Sequence, residues 1–207
     1  MFRAQERYGH DPSIVVRTKT WTEPLKWQRM AAEQGEFEMV FTCSWSDWFH
    51  EDADEWRDEA WGLIRRCSNL VFQVLTKRPE RILVNLPQDW SRGYENVWLG
   101  VSVENNDHLW RVDALRSVPA RVRFISAEPL LGPLSNLELD EIDWLIVGGE
   151  SGPRYREMKN EWARELRDLA LNSGVAFFFK QSAAPRTEMG TLLDGVAWRE
   201  YPPIRKL

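Results

Sequence analysis

The sequence predicts an α/β fold, an incomplete (β/α) TIM-type barrel of parallel strands with outer helices, on three observations. Short apolar runs recur along the 207 residues, and each ends in a burst of polar and charged residues. Runs of that length with little alternation read as strands buried on both faces, as in parallel sheets covered by helices. Their starts fall near residues 14, 39, 71, 97, 122, 144 and 175, about 22 to 32 residues apart, the spacing of βα units with right-handed crossovers.

The elements follow in order. Ser13 to Arg17 is the shortest and weakest apolar run. Thr22 is placed to cap a helix with Pro24 in its first turn, reaching about Gln34. Met39 to Cys43 reads as a strand that runs into Ser44-Trp45-Ser46-Asp47-Trp48-Phe49-His50. From Asp52 to Cys67, Trp56, Ala60, Leu63 and Ile64 recur at helical spacing, with an acidic start and Arg65-Arg66 at the end, as the helix dipole prefers. Val71 to Leu75 is a strand entering Thr76-Lys77-Arg78, and Pro79 opens a helix to about Leu86. Val97 to Val101 runs into Ser102-Val103-Glu104-Asn105, and Asn106 or Asp107 caps a helix to Ser117. Val122 to Ile125 runs into Ser126-Ala127-Glu128-Pro129. The crossover from Leu130 to Glu141 holds Pro133 and no long helical pattern, so it reads as short and irregular. Trp144 to Val147 enters Gly148-Gly149-Glu150-Ser151. Asn160 caps a helix to Asn172 with Gly174 as its stop, and Val175 to Phe179 enters Lys180-Gln181. The tail from Ala183 contains Pro185, Pro202 and Pro203 and offers no eighth strand. Residues 1–207 thus read as a single barrel-like domain that lacks the first βα unit.

Composition narrows the classes. With 43% hydrophobic and 29% charged residues the chain is globular, and a net charge of −5 argues against a broadly basic nucleic-acid surface while leaving room for a local basic groove. No 18-residue apolar stretch and no signal-peptide pattern is present, so the expectation is a cytoplasmic protein without a membrane partner. Cys43 and Cys67 have no metal-ligand spacing and read as buried small hydrophobes rather than a disulfide; no metal site is assigned. The 12 tryptophans read as rings filling core gaps and helix–sheet seams, the rival being a stacking surface for a flat ligand or base.

Parallel strands gather their carboxyl ends into one mouth, where such folds build sites. Candidate catalytic residues there are Asp47, Lys77, Glu104, Glu128, Glu150 and Lys180. Ser46, Arg78, Asn105, Gly148, Gly149, Ser151 and Gln181 are candidate binding residues. Carboxylates and lysines arriving from different strands must pair with each other or bind something charged. Lys77 and Arg78 at a helix start oppose the dipole, which an anionic ligand or a facing carboxylate compensates. Gly148-Gly149 allows close backbone approach, and Pro129 holds Glu128 extended. Of the three histidines only His50, near Asp47, stands at a strand mouth. The alternative is a ring of salt bridges that closes the mouth without chemistry.

Phe72 to Arg81, Trp98 to Asn105, Phe124 to Gly132 and Trp144 to Gly152, with Asp47-Trp48-Phe49-His50, together closely resemble the phage gene-product-37/68 family across Asp11 to Gln181. The resemblance implies a barrel similar to that of radical-SAM enzymes, in a family of phages and bacteria whose reaction is not established. It also implies that a full-length member carries an N-terminal cysteine-rich loop holding a 4Fe-4S cluster, with S-adenosylmethionine as cofactor. Met1 to Gly9 resembles the helix after that loop, so the chain looks like a member that starts one βα unit late. A 4Fe-4S cluster needs three protein thiolates grouped on one loop. Cys43 and Cys67 do not supply them, so no cofactor is expected on this chain.

The leading functional expectation is a radical-SAM-like enzyme acting on a nucleic acid or nucleotide, inactive as this chain alone, with a small anionic or polar ligand at the mouth. One rival is a non-catalytic phage module that binds a nucleotide or a partner protein. Another is a nuclease-like hydrolase in which Asp47, Glu104, Glu128 and Glu150 hold a divalent metal. Loss of one strand would leave the runs near Ile14–Val16 and Val175–Phe179 as open edges. Self-association through those edges, or a restoring segment upstream, is then expected ahead of cover by the tail.

Overall fold

The structure is a computed structural model and describes residues 15–44 and 46–204. Its described elements begin with α1 (Glu23–Gln34), β1 (Glu38–Phe41), α2 (Asp54–Arg65), β2 (Leu70–Thr76) and β3 (Val97–Ser102). There follow α3 (Trp110–Arg116), β4 (Val122–Ala127), β5 (Trp144–Gly148), α4 (Asn160–Ser173) and β6 (Ala176–Gln181). The class is α/β, as the recurring apolar runs predicted. The chain divides into two compact units, one running to Leu99 and including Val118–Arg121, the other comprising Gly100–Ser117 and Val122–Pro203.

In the first unit β1 pairs in parallel with β2, Glu38 opposite Leu70 and Phe41 opposite Gln73. Strand β2 is buried nearly throughout, the continuous burial its apolar run implied. Helix α2 buries Arg57, Ala60, Trp61 and Ile64, a stripe spaced i, i+3, i+4 and i+7. Its carboxyl end is closed by Asn96, whose amide donates to the Ile64 and Cys67 carbonyls at 3.0 Å each. Trp61 packs between Trp48 and Trp90 in tilted contacts at centroid separations of 5.0 and 5.4 Å, so these rings serve packing. Trp45 lies outside the described residues.

In the second unit β4, β5 and β6 follow in order and pair in parallel, with a register shift between Val147 and Gly148. Gly100 on β3 is required by a neighbour: a Cβ there would lie 2.4 Å from the Phe124 ring. Helix α4 buries Ala163, Leu166 and Ala170 and ends at Gly174, whose φ of 67° is the left-handed stop its position suggested. The 130–141 crossover has no helix, as expected, and buries Leu130, Leu134, Leu137 and Leu139 instead.

Several expectations are corrected. Of the run Ser13 to Arg17, Ser13 and Ile14 lie outside the described residues, and residues 15–17 form no strand. Arg17 instead turns to Glu59, at 2.6 Å, and to the ring of Trp21. Pro79 opens no continuous helix but two short 3-10 turns, Pro79–Arg81 and Leu83–Asn85. Arg81 donates to the Phe49 carbonyl, and Leu86 is extended before Pro87, which ends any helix there. The turn before α3 is capped by Asn105, not by Asn106 or Asp107, because the Asn105 side chain accepts from the Asp107 N–H. Cys67 is buried but Cys43 is exposed. The outer edge of β6 is not open. Phe179 N–H donates to Trp198 O and Glu200 N–H to Phe177 O, both at 3.1 Å, around an antiparallel bridge between Phe178 and Arg199.

Candidate functional site

In the first unit, Asp47 sits buried at the end of the segment that follows β1. Its carboxylate accepts from Phe49 N–H at 2.9 Å, Thr76 Oγ1 at 2.7 Å and Lys77 N–H at 2.8 Å, and lies 3.4 Å from the Arg78 guanidinium. Three of those donors are held at fixed positions by the backbone or by β2. Asp47 therefore ties the 46–50 loop to the carboxyl end of β2. Arg78 also faces Glu51 at 3.5 Å, the facing carboxylates that its unfavourable position at a turn start calls for. Ser46, half-buried, donates its N–H to Cys43 O. His50 accepts from Asp52 N–H and caps a 3-10 turn.

In the second unit Glu104, Glu128, Glu150 and Lys180 stand at the carboxyl ends of β3 to β6, where Glu128 and Lys180 meet, and each carboxylate has its own cation. Glu104 is buried and accepts from Arg111 at 3.0 Å. Arg111 also donates to Ser102 O at 2.8 Å, and its buried Nε has no hydrogen-bond partner. Glu150 is clamped by Arg156 alone, from the backbone N–H at 2.7 Å and from two guanidinium nitrogens at 2.8 Å. The hydrogen-bonding Arg156 guanidinium, ahead of the opposing effect of burial, holds the Glu150 carboxyl down at about 2. Glu128 meets Lys180 at 2.8 Å, a single contact, with the lysine side chain 51% exposed. The Glu128–Pro129 bond is cis.

The remaining candidates frame these pairs. A Cβ on Gly148 would come within 3.3 Å of Lys180 Cβ and 3.4 Å of the Glu128 carboxyl carbon, so this glycine lets the pair close over the strand end. A Cβ on Gly149 would lie 2.1 Å from the Ala183 nitrogen, so the chain itself occupies that approach. Gln181 is buried, donating to Gly149 O at 3.3 Å and accepting from Glu188 N–H at 2.8 Å. Ser151 bridges to Ala184, and Asn105 accepts from Asp107 N–H and contacts His108 at 2.8 Å.

Arg111 and Arg156, the partners of two of the carboxylates, were missed by the sequence. Arg111 follows Glu104 by seven positions across a turn into α3, a weak signal. Arg156 lies in a loop where no periodicity marks it. Among the described residues no group of three His, Cys, Asp or Glu side chains stands ready to hold a metal ion. Cys67 is buried with Sγ against Pro24 O, and Cys43 is exposed at the end of β1. These two thiols do not fit a 4Fe-4S cluster, which needs three on one loop. No described helix is long and apolar enough to cross a membrane.

The family described as "Protein of unknown function (DUF5131)" matches residues 2–202. No curated protein and no solved structure matches the chain.

Proposed function

We propose that this chain, which belongs to the DUF5131 family, binds a small anionic or zwitterionic ligand at the carboxyl ends of β3 to β6, with Lys180 and Glu128 as its contact pair. The observation that supports the reading is the contrast among the three ion pairs. Glu104 is buried with its arginine, and Glu150 is held by three hydrogen bonds. Glu128–Lys180 rests on one bond to a half-exposed lysine, so it is the pair that a ligand opens at least cost. A phosphate or carboxylate then takes Lys180, and Glu128 is released to accept a ligand ammonium or hydroxyl.

This placement at the carboxyl ends of parallel strands is the one that barrel and open α/β proteins use. It accords with the TIM-type, radical-SAM-like expectation and with nucleotides and S-adenosylmethionine as ligands, since both carry such charged groups. Cys43 and Cys67 do not fit a 4Fe-4S cluster, so the ligand contacts fall to the charged side chains.

The test titrates inorganic phosphate, a nucleoside monophosphate and S-adenosylmethionine against the protein, with binding followed by calorimetry. Lys180→Ala should weaken the binding of phosphate-bearing ligands about tenfold, the loss of one charge-assisted contact. Glu128→Gln should strengthen it, because Lys180 is freed from its internal partner. Equal affinities in the two variants, or no binding of any of the three, would refute the reading.

A further inference from the structure

The register of β6 sets Lys180 apart. Val147 pairs with Phe179 and Gly148 with Gln181, so Lys180 is the extra residue of a bulge. A bulge re-aims the side chain it carries. Here the aim is across β5 toward β4: Lys180 Cβ stands 3.3 Å from where a Cβ on Gly148 would lie, and its Nζ meets Glu128 at 2.8 Å.

A second cation stands on the same face of the sheet. Arg199, in the tail, bridges antiparallel to Phe178, and residues directly opposite in such a pair present their side chains to one face. The Arg199 guanidinium accordingly lies 4.5 Å from the centre of the Phe178 ring. Trp144, which meets that ring edge-on at 5.9 Å, alternates along β5 with Ile146 and Gly148 on the face where Lys180 lies. The α4 side is the other one, where Phe177 packs on Trp198 beneath Arg167.

Arg199 keeps its charge uncompensated. Its Nη1 donates to Phe179 O, and to Trp198 O at 2.9 Å, while Nη2 lies 3.4 Å from Lys180 O. Carbonyls take its hydrogens but not its charge. Among the described residues no carboxylate pairs with it, and its Nε makes no hydrogen bond. The neighbouring Glu200 carboxylate is turned to Phe177 N–H at 3.0 Å. The Nε edge of an exposed guanidinium is therefore left open, the edge that takes two oxygens of one anionic group.

We propose that Arg199 is a second ligand contact beside Lys180, and that the ligand carries two linked phosphates, one for each cation. This rests on the Lys180–Glu128 reading and adds to it the ligand class and a residue from the tail. A single phosphate engages Lys180 alone; a diphosphate spans from the bulge to the strap along β6.

The probes are orthophosphate and pyrophosphate, titrated calorimetrically into the full chain without divalent metal. Pyrophosphate should bind the parent about tenfold more tightly, the worth of one charge-assisted contact. Arg199→Gln should bring that ratio close to one, whereas Lys180→Ala should weaken both anions. Lys26→Gln, which removes one positive charge on α1, should leave the ratio intact and so separates a contact from net charge. Where Arg199→Gln loosens the tail, seen as an earlier melt, Arg199→Lys decides: it keeps the cation without the fork, and the ratio should fall only about threefold. A parent ratio near one, a ratio unmoved by both Arg199 changes, an equal loss in Lys26→Gln, or malonate binding more tightly than pyrophosphate would overturn this inference alone. Orthophosphate binding that Lys180→Ala does not weaken would overturn the Lys180–Glu128 reading and this inference with it.

Discussion

Glu150 and Arg156 show how a carboxylate at a strand end becomes a fastening. Three hydrogen bonds from one residue hold Glu150, and the guanidinium lowers its carboxyl from 4.5 to about 2. The folded state therefore keeps this charge where the unfolded chain has lost it. The stability it contributes is present above the unfolded value near 4.5 and is lost as pH falls through about 2. Arg156 is 60% exposed, so solvent screening reduces the contribution to about 1 kcal/mol. Glu150→Gln should lower stability at neutral pH by that amount and flatten the acid limb below pH 4.5; denaturant melts across the pH range measure it. A variant with the parent's acid profile would show that the clamp carries no linkage.

At the level of elements, Gly149 marks where two segments cross. The chain after β6 passes so closely that a Cβ on Gly149 would lie 2.1 Å from Ala183 N and 2.5 Å from Ala183 Cα, both backbone atoms. Neither can rotate away. The crossing is held by Gly149 N–H to Gln181 O at 2.8 Å and Ala184 N–H to Glu150 O at 3.0 Å. Gly149→Ala should therefore destabilise by about 3 kcal/mol, the upper part of the range for overpacking a closed site. Gly152→Ala would meet no atom, though its φ of 136° strains any other residue. Urea melts of Gly149→Ala check the first claim, and a loss below about 1 kcal/mol would show that the 182–184 segment yields.

At the level of the whole molecule, the tail from Trp198 to Tyr201 covers the β6 edge. Besides its two ladder bonds, Phe177 N–H donates to the Glu200 carboxylate at 3.0 Å, and the Arg199 guanidinium lies 4.5 Å from the Phe178 ring. The edge beneath is Phe177-Phe178-Phe179, an uncharged apolar strand of the kind that pairs with other copies when bare. A chain ending at Ala197 should self-associate and melt at lower temperature than the full chain. Sedimentation and thermal melts of both forms test this, and a monomeric, equally stable shortened chain would show that the tail is dispensable.

The sequence by itself determined the class and most of the elements. β2, β3, β4, β5 and β6 announced themselves because strands buried on both faces must be continuously apolar. The helical stretch of α2 did so because a half-buried helix repeats its apolar stripe every three to four residues, and α4 did so through its glycine stop at Gly174, although its cap falls at Lys159 and not at Asn160. The carboxylates at the strand ends were legible for the same reason, since each stands where an apolar run stops. Their partners were not. Arg111 and Arg156 reach Glu104 and Glu150 from a helix and a loop, and which cation meets which carboxylate is decided by where those segments fold back. The tail forms no eighth strand, as expected, but its cover of the β6 edge was not legible, because that pairing uses backbone groups and leaves no apolar run to see. Gly149 and Gly100 were likewise decided by tertiary structure, in which a crossing chain or the Phe124 ring leaves no room for a side chain. Local patterns fix what a segment is; only long-range packing fixes what it touches.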